Sequence, residues 1–241
     1  MSSRPNPLIL AVDTTDRRQA REWVQRTREA VGAIKLGLEF LHSAGPEGVR
    51  ELQAVGAERV FLDTKFCDIP NTVAGAVRAI APLRPWMFNL HALAGPAAIR
   101  AAVAEAERTH SGEGARPLVI AVTVLTSLAE ETLGELGLAG PVESAVVRLS
   151  RLAQDAGADG VVASPREVAA LRRACGPDFL LVTPGVRPAG ADSHDQERVA
   201  TPGAAIRDGA DYLVIGRAAT AASDPVSALA AIRAEAEAAR L

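Results

Sequence analysis

The sequence has few cysteine, lysine and aromatic residues and no long apolar run. Its two cysteines, Cys67 and Cys175, are too few for a disulfide framework and lack metal-ligand spacing, which is typical of a cytoplasmic protein. No apolar run approaches the roughly 18 residues of a membrane span, and the run 8–12 is too short for a signal-peptide core. The net charge of −3 argues against a broad basic face for nucleic acid. We therefore expect neither a membrane nor a nucleic acid as partner.

Lysine is the scarcest of the charged residues. The chain has 24 arginines but only two lysines, Lys35 and Lys65. A composition rich in Ala, Gly, Pro and Arg is typical of a GC-rich genome, in which arginine replaces lysine wherever a generic surface cation suffices. Arginine keeps its proton at ordinary pH, so lysine is hardest to replace where a proton must be delivered or a compact charge must fit. The positions of the two lysines should therefore be informative.

Short apolar runs alternate with longer segments of helical periodicity along the whole chain. The candidate strands are residues 8–12, 33–36, 59–63, 87–90, 118–122, 160–163, 179–182 and 212–215. Eight such units in 241 residues predict a (β/α)8 TIM barrel that forms a single catalytic domain over residues 1–241. A doubly wound sheet is the alternative, because periodicity does not show closure.

Polar residues follow most of the predicted strands. In both folds ligands bind beyond the carboxyl ends of parallel strands, so these residues are candidates for a site. They are Asp13, Lys35, Asp63, Lys65, His91, Thr126, Arg187, Gly216 and Arg217. Both lysines of the chain are among them.

The densest cluster of charge is the segment from Asp63 to Asp68. Alternation in an extended chain predicts that Asp63 and Lys65 point to the same side, toward the mouth of the barrel. Neighbouring carboxylates favour the ammonium form of a lysine, which suits a partly buried proton donor. An ordinary structural ion pair is the competing interpretation.

The last predicted strand ends with Gly216 and Arg217. Loops after the seventh and eighth strands of barrels often bind phosphate through backbone N–H groups, and arginine adds a charge that can bind it in bidentate fashion. We therefore expect a phosphorylated small molecule as ligand. The polar segment 187–199 is a candidate lid over it.

Taken in order, the motifs at these strand ends resemble those of the orotidine 5′-monophosphate decarboxylase family over essentially the whole chain. The matching strings are LILAVD ending at Asp13, IKLG containing Lys35, DTKFCDIPNT from Asp63 to Thr72, VTVLTS containing Thr126, TPGVR ending at Arg187, DQ ending at Gln196, and VIGR ending at Arg217. Cys67 departs from the pattern, because many bacterial members have histidine there.

The resemblance implies specific catalytic roles. Lys65 matches the residue that protonates C6 of the pyrimidine as CO2 leaves, and Asp63 matches the one that faces the substrate carboxylate. Lys35 matches a ribose-binding lysine that also pairs with this aspartate. Asp68 matches a residue that reaches the neighbouring subunit's site, which implies an obligate homodimer with shared sites.

The resemblance also implies the remaining contacts to orotidine 5′-monophosphate and its product UMP. Asp13 would bind the ribose hydroxyls, and Thr126 would bind the pyrimidine amide. The residues Arg187, Gln196, Gly216 and Arg217 match contacts on the phosphate side, and Thr72 is a further expected substrate-binding residue. No metal or other cofactor is implied.

Three alternatives stay open at this point. Related Mg²⁺-dependent sugar-phosphate enzymes, 3-keto-gulonate 6-phosphate decarboxylase and hexulose 6-phosphate synthase, share the Asp-x-Lys-x-x-Asp segment, but they carry an acidic metal ligand where this chain has Lys35. A Schiff-base aldolase could use Lys65, although flanking carboxylates would hold the amine in its protonated, non-nucleophilic form. A nucleotide-binding barrel without catalysis is the third.

Overall fold

The computed structural model describes residues 5–110, 115–138, 140–187 and 200–240. Eight parallel strands close into a barrel in chain order, with β1 paired to both β2 and β8. The strands are β1 (Leu8–Ala11), β2 (Ala33–Leu36), β3 (Val60–Phe66), β4 (Met87–His91), β5 (Leu118–Val122), β6 (Gly160–Val162), β7 (Leu180–Thr183) and β8 (Tyr212–Ile215). The predicted (β/α)8 barrel is confirmed, and the doubly wound sheet is excluded by the pairing of β1 with β8.

Helices connect successive strands around the outside of the barrel. They are α1 (Arg17–Thr27), α2 (Leu38–Ala54), α3 (Pro70–Ile80), α4 (Pro96–Thr109), α5 (Glu130–Glu135), α6 (Val142–Asp155), α7 (Val168–Cys175), α8 (Pro202–Arg207), α9 (Arg217–Thr220) and α10 (Pro225–Ala238). Among the helices of the described ranges, none is long and apolar enough to cross a membrane.

Every predicted strand has a counterpart, and the largest difference is at the end of β3. The prediction ended this strand at residue 63, whereas the structure continues it to Phe66. The pairing of β3 with β4 is irregular between Leu62 and Phe66, and Lys65 has a left-handed backbone with φ of 49°. The irregular backbone therefore carries β3 three residues further, past Lys65.

The strands separate two apolar clusters. Side chains such as Ile9, Phe61 and Met87 point inward and fill the barrel, whereas a larger cluster lies between the strands and the helices. The amino-terminal end is closed by Trp86, whose ring meets Tyr212 edge-on and lies 3.9 Å from the Arg59 guanidinium. The opposite end of the barrel interior is left to polar side chains.

Two arginine–aspartate pairs fasten adjacent strands at the amino-terminal end. Asp159, just before β6, accepts hydrogen bonds from Arg116 and from the backbone N–H of Val119 in β5. Asp211, just before β8, accepts from Arg172 and from the backbone N–H of Leu181 in β7. Each aspartate thus satisfies a backbone donor at the start of the neighbouring strand.

Candidate active site

A cavity of about 620 Å³ opens at the carboxyl end of the barrel. Most of the residues expected at the site line this cavity: Asp13, Lys35, Asp63, Lys65, Thr126, Arg187, Gly216 and Arg217. These residues share one mouth, because the carboxyl ends of all parallel strands meet at the same end of a barrel.

Asp63 is the centre of the charge cluster, and its side chain is only 6% exposed. Its Oδ1 atom lies 2.6 Å from Lys65 Nζ, and its Oδ2 atom lies 3.0 Å from Lys35 Nζ. Lys35 also lies 3.4 Å from the carboxylate of Asp13, which is half exposed at the end of β1. One buried carboxylate thus holds both lysines of the chain at the floor of the cavity.

The surroundings of this cluster shift the pKa values of Asp63 and Lys35. Burial alone would raise the pKa of Asp63, but Lys35, Lys65 and the amide of Asn89 hold the pKa of that carboxyl below its usual range. Burial lowers the pKa of Lys35, but the carboxylates of Asp63 and Asp13 outweigh it and raise the pKa above its usual value. The Asp63–Lys35 pair is therefore ionised across the neutral range.

Asn89 in β4 is a member of the cluster that the sequence reasoning missed. Its Nδ2 donates to Asp63 Oδ1 at 2.7 Å, and its Oδ1 accepts from the backbone N–H of Lys65 at 2.7 Å. The residue is 1% exposed and lines the cavity. An amide in the otherwise apolar strand segment 87–90 is the signal that could have found it, because a buried polar side chain needs a partner.

The opposite side of the cavity carries the arginines. Gly216 follows β8, and Arg217 begins α9. Arg187 follows β7, and its backbone N–H donates to the carbonyl of Ala200 at 3.0 Å. Two guanidinium groups therefore lie on the same cavity as the lysines, in a position to neutralise an anionic group.

Among the described residues, Asp68, Thr72 and His91 were expected near the site but do not line the cavity of the single chain. Asp68 is exposed, and its carboxylate accepts a hydrogen bond from the backbone N–H of Ile69. Thr72 is exposed on the first turn of α3. Gln196 and the candidate lid beyond Arg187, up to residue 199, lie outside the described residues.

His91 ends β4 near this cluster and is partly exposed. Burial and the charge of Lys65 lower the pKa of His91 below its usual value, and the charge of Asp63 opposes them. The imidazole is therefore mostly neutral at pH 7.

The closed barrel carries paired ammonium and carboxylate groups and two arginines at its mouth, an arrangement that suits an enzyme acting on an anionic small molecule. A family model described as "Orotidine 5′-phosphate decarboxylase / HUMPS family" matches residues 6–232. The chain belongs to this family.

Individual relatives agree over nearly the full chain. The orotidine 5′-phosphate decarboxylase of Moorella thermoacetica is 53% identical over 95% of this chain and 92% of its own. That of Rhodospirillum rubrum is 51% identical over 95% of this chain and 94% of its own. The crystal structure of orotidine 5′-phosphate decarboxylase from Lactobacillus acidophilus superposes with a TM-score of 0.85 at 35% identity, covering 96% of this chain and 99% of that one.

Proposed function

We propose that this protein decarboxylates orotidine 5′-monophosphate to UMP and CO2 in pyrimidine biosynthesis, in the cytoplasm. The observation that carries the proposal is the buried Asp63 carboxylate held between Lys35 and Lys65 at the barrel mouth. Relatives about half identical to this chain carry the name of this enzyme.

The chemistry follows from where the charges lie. The bond between C6 and the carboxylate breaks, its electron pair stays on C6, and CO2 leaves. Asp63 faces the substrate carboxylate and disfavours it, whereas the Lys65 ammonium favours the developing negative charge on C6. Lys65 then gives a proton to C6 and regains one from solvent. The site thus favours the transition state over the bound substrate.

The rest of the cavity would orient the nucleotide. Asp13 and Lys35 form the side of the cavity proposed for the ribose hydroxyls, with Lys35 fixed by Asp63. Thr126 is proposed to bind the pyrimidine amide. The phosphate is assigned to Arg187, Gly216 and Arg217, together with Gln196, because guanidinium groups bind phosphate in bidentate fashion.

We propose that the active form is a homodimer in which Asp68 completes the partner's site. Asp68 and Thr72 lie outside the cavity of their own chain. Four large apolar side chains are exposed on the same side of the mouth, after β2, β3, β4 and β5: Leu38, Ile69, Leu93 and Leu125. An exposed apolar group beside a polar site is typical of a protein interface. The proposed contact would bury this group and bring Asp68 to the second site.

No metal is needed in this proposal, because the two lysines supply the positive charge. The Mg²⁺-dependent sugar-phosphate activity is disfavoured by Lys35, whose ammonium contacts Asp63 and would repel a divalent cation there. A Schiff-base mechanism is disfavoured by the 2.6 Å contact of Lys65 Nζ with Asp63, because the carboxylate occupies the amine that would have to attack a carbonyl.

The decisive experiment offers orotidine 5′-monophosphate to purified, EDTA-treated protein. We expect conversion to UMP. The reaction is monitored by the loss of near-ultraviolet absorbance, because a carboxylate conjugated to the ring is removed. Turnover that requires added Mg²⁺ would contradict the metal-free mechanism. UMP binding without turnover would favour the non-catalytic barrel, and borohydride trapping of a Lys65 adduct would favour the aldolase.

A further inference from the structure

The pairing of β3 with β4 is unusual at the point where the reactive residues lie. Leu62 pairs with Phe88 and Phe66 pairs with Leu90, so residues 63–65 of β3 face the single residue Asn89 of β4. Asn89 bonds to all three of them. Its amide group reaches the carboxylate of Asp63 and the N–H of Lys65, and its backbone carbonyl accepts from the Thr64 hydroxyl at 2.6 Å.

We propose that Asn89 is a positioning residue for the decarboxylation, which sets the places of the Lys65 ammonium and the Asp63 carboxylate. The inference rests on the proposed function and assigns Asn89 no contact with substrate. Its role is to act on the two residues that carry the chemistry.

The backbone of Lys65 shows why such a support is needed. Its φ of 49° is a left-handed backbone conformation that residues other than glycine, asparagine and aspartate rarely adopt. A conformation of this kind persists only where the surroundings hold it. The Asn89 Oδ1 atom does this by accepting the Lys65 N–H, which orients the side chain so that Nζ meets Asp63.

Only one orientation of the amide satisfies both contacts. With Nδ2 toward Asp63, a donor meets a carboxylate and an acceptor meets an N–H. The reverse orientation would place oxygen against the carboxylate and N–H against N–H, and both contacts would be repulsive. Since asparagine supplies a donor and an acceptor at this reach, neither leucine nor aspartate can replace it fully.

Asn89 also acts on the charge of Asp63. The charged or titratable groups that face this carboxylate are Lys35 from β2, Lys65 from β3 and His91 from β4. Asn89 adds a neutral hydrogen bond to the ionised form, so its removal raises the pKa of Asp63. The acid limb of the pH profile should therefore move to higher pH.

The test compares Asn89→Ala with Asn6→Ala. Asn6 makes the same two kinds of bond at the other end of the barrel, donating to the Ala30 carbonyl and accepting from the Leu8 N–H. We expect Asn89→Ala to lower kcat for orotidine 5′-monophosphate about 100-fold, as for a reacting group displaced by about 1 Å. Its Kd for UMP should stay within a few-fold of the wild type, and the acid limb of kcat/KM should shift upward. Asn6→Ala should lose stability but keep kcat and the pH profile.

Asn89→Asp separates the two bonds. Its carboxylate keeps an oxygen for the Lys65 N–H but places a second negative group beside Asp63, so we expect a larger upward shift of the acid limb than in Asn89→Ala. If Asn89→Ala does not fold, as judged by circular dichroism, Asn89→Asp provides the test in its place.

The outcomes separate this inference from the proposed function. A wild type without turnover contradicts the proposed function itself. If the wild type is active, an unchanged kcat and pH profile in the folded Asn89 variants overturns the positioning role. A raised KM with unchanged kcat overturns it too, because Asn89 would then act in binding.

Discussion

Asp63 uses its two oxygens for different partners. Oδ1 receives Lys65 and the amide of Asn89, whereas Oδ2 receives Lys35. The two ammonium groups therefore cannot exchange places without breaking the network. This division allows two chemically identical side chains to hold the different roles proposed for them, one near the ribose and one near the reacting carbon.

Replacement of Lys65, the proposed proton donor, is the sharpest test of the role of a single residue. Lys65→Arg keeps the positive charge but not a proton that can be delivered, so we expect decarboxylation to be abolished. General acid catalysis alone typically contributes about 10²–10⁴-fold. Binding of UMP, measured by calorimetry, should remain detectable.

The exposed Arg233→Lys variant, at a residue paired with Glu237 on α10, is the control and should keep full activity. Near-normal turnover in Lys65→Arg would mean that another group donates the proton.

The cavity-lining residues could be predicted from the sequence where they follow a recognisable strand, as Asp13 and Arg217 do. The same-side placement of Asp63 and Lys65 was expected from simple alternation, but the structure reaches it through a left-handed residue in an irregular strand pair. Lysine shows no preference for that conformation, so no residue type signals it. Asn89 was missed because its two bonds connect residues far apart in sequence.

At the scale of elements, β strands and crossover helices followed closely from apolar periodicity. A detail that periodicity does not show is the break in α2 at Gly45, where φ is 59° and Pro46 follows. Another is Gly160 in β6, where a Cβ atom would lie 2.2 Å from the Leu180 carbonyl oxygen. Gly160 depends on the approach of the neighbouring strand's backbone, which a single segment of sequence does not contain, whereas the break at Gly45 is local, because nothing lies within 4 Å of a Cβ atom placed there.

The pair of Arg172 with Asp211 is the element-level contact with the clearest expected cost. Arg172 also donates to carbonyls around the start of β7, including those of Gly176 and Phe179. We expect Arg172→Ala to lower the free energy of unfolding by about 3 kcal/mol, because Asp211 loses its cationic partner and keeps only the backbone N–H of Leu181, while several carbonyls lose the Arg172 donor. Chemical denaturation measures this.

Arg233→Ala is the matched control, since it removes an exposed arginine from an ion pair between residues four apart on one helix. Its expected cost is about 0.5 kcal/mol or less. Equal losses of unfolding free energy in Arg172→Ala and Arg233→Ala would contradict the importance of the Arg172–Asp211 pair.

In the whole molecule, the stabilising contacts described above and the residues proposed to react lie at opposite ends of the barrel. Arginine–aspartate pairs and the Trp86–Tyr212 contact close the amino-terminal end, whereas Asp63 and the lysines occupy the carboxyl end. Substitutions at the first end are therefore expected to change unfolding more than turnover, and those at the second the reverse.

The proposed homodimer is testable by mixing inactive chains. Asp68→Ala and Lys65→Ala chains, each inactive alone, should together recover about one quarter of wild-type activity, because half of randomly formed dimers are mixed and each contains one intact site. Steady-state assays after co-refolding measure the recovery.

A mixture of Asp63→Ala and Lys65→Ala chains is the control and should recover nothing, since both residues serve the same chain's cavity. Absence of recovery with Asp68→Ala in verified mixed dimers would mean that Asp68 serves its own subunit.

The location of both lysines in one cavity has a practical consequence for chemical labelling. No lysine lies on the outer face of the barrel, so an acylating reagent that seeks side-chain amines finds them only at the mouth, where Lys35 is 14% and Lys65 is 29% exposed. Amine-directed coupling or cross-linking therefore has no side-chain amine on the outer face to use as a surface tag. Reaction at the mouth should be slow, because Asp63 contacts both amines, and a bound nucleotide should shield them further.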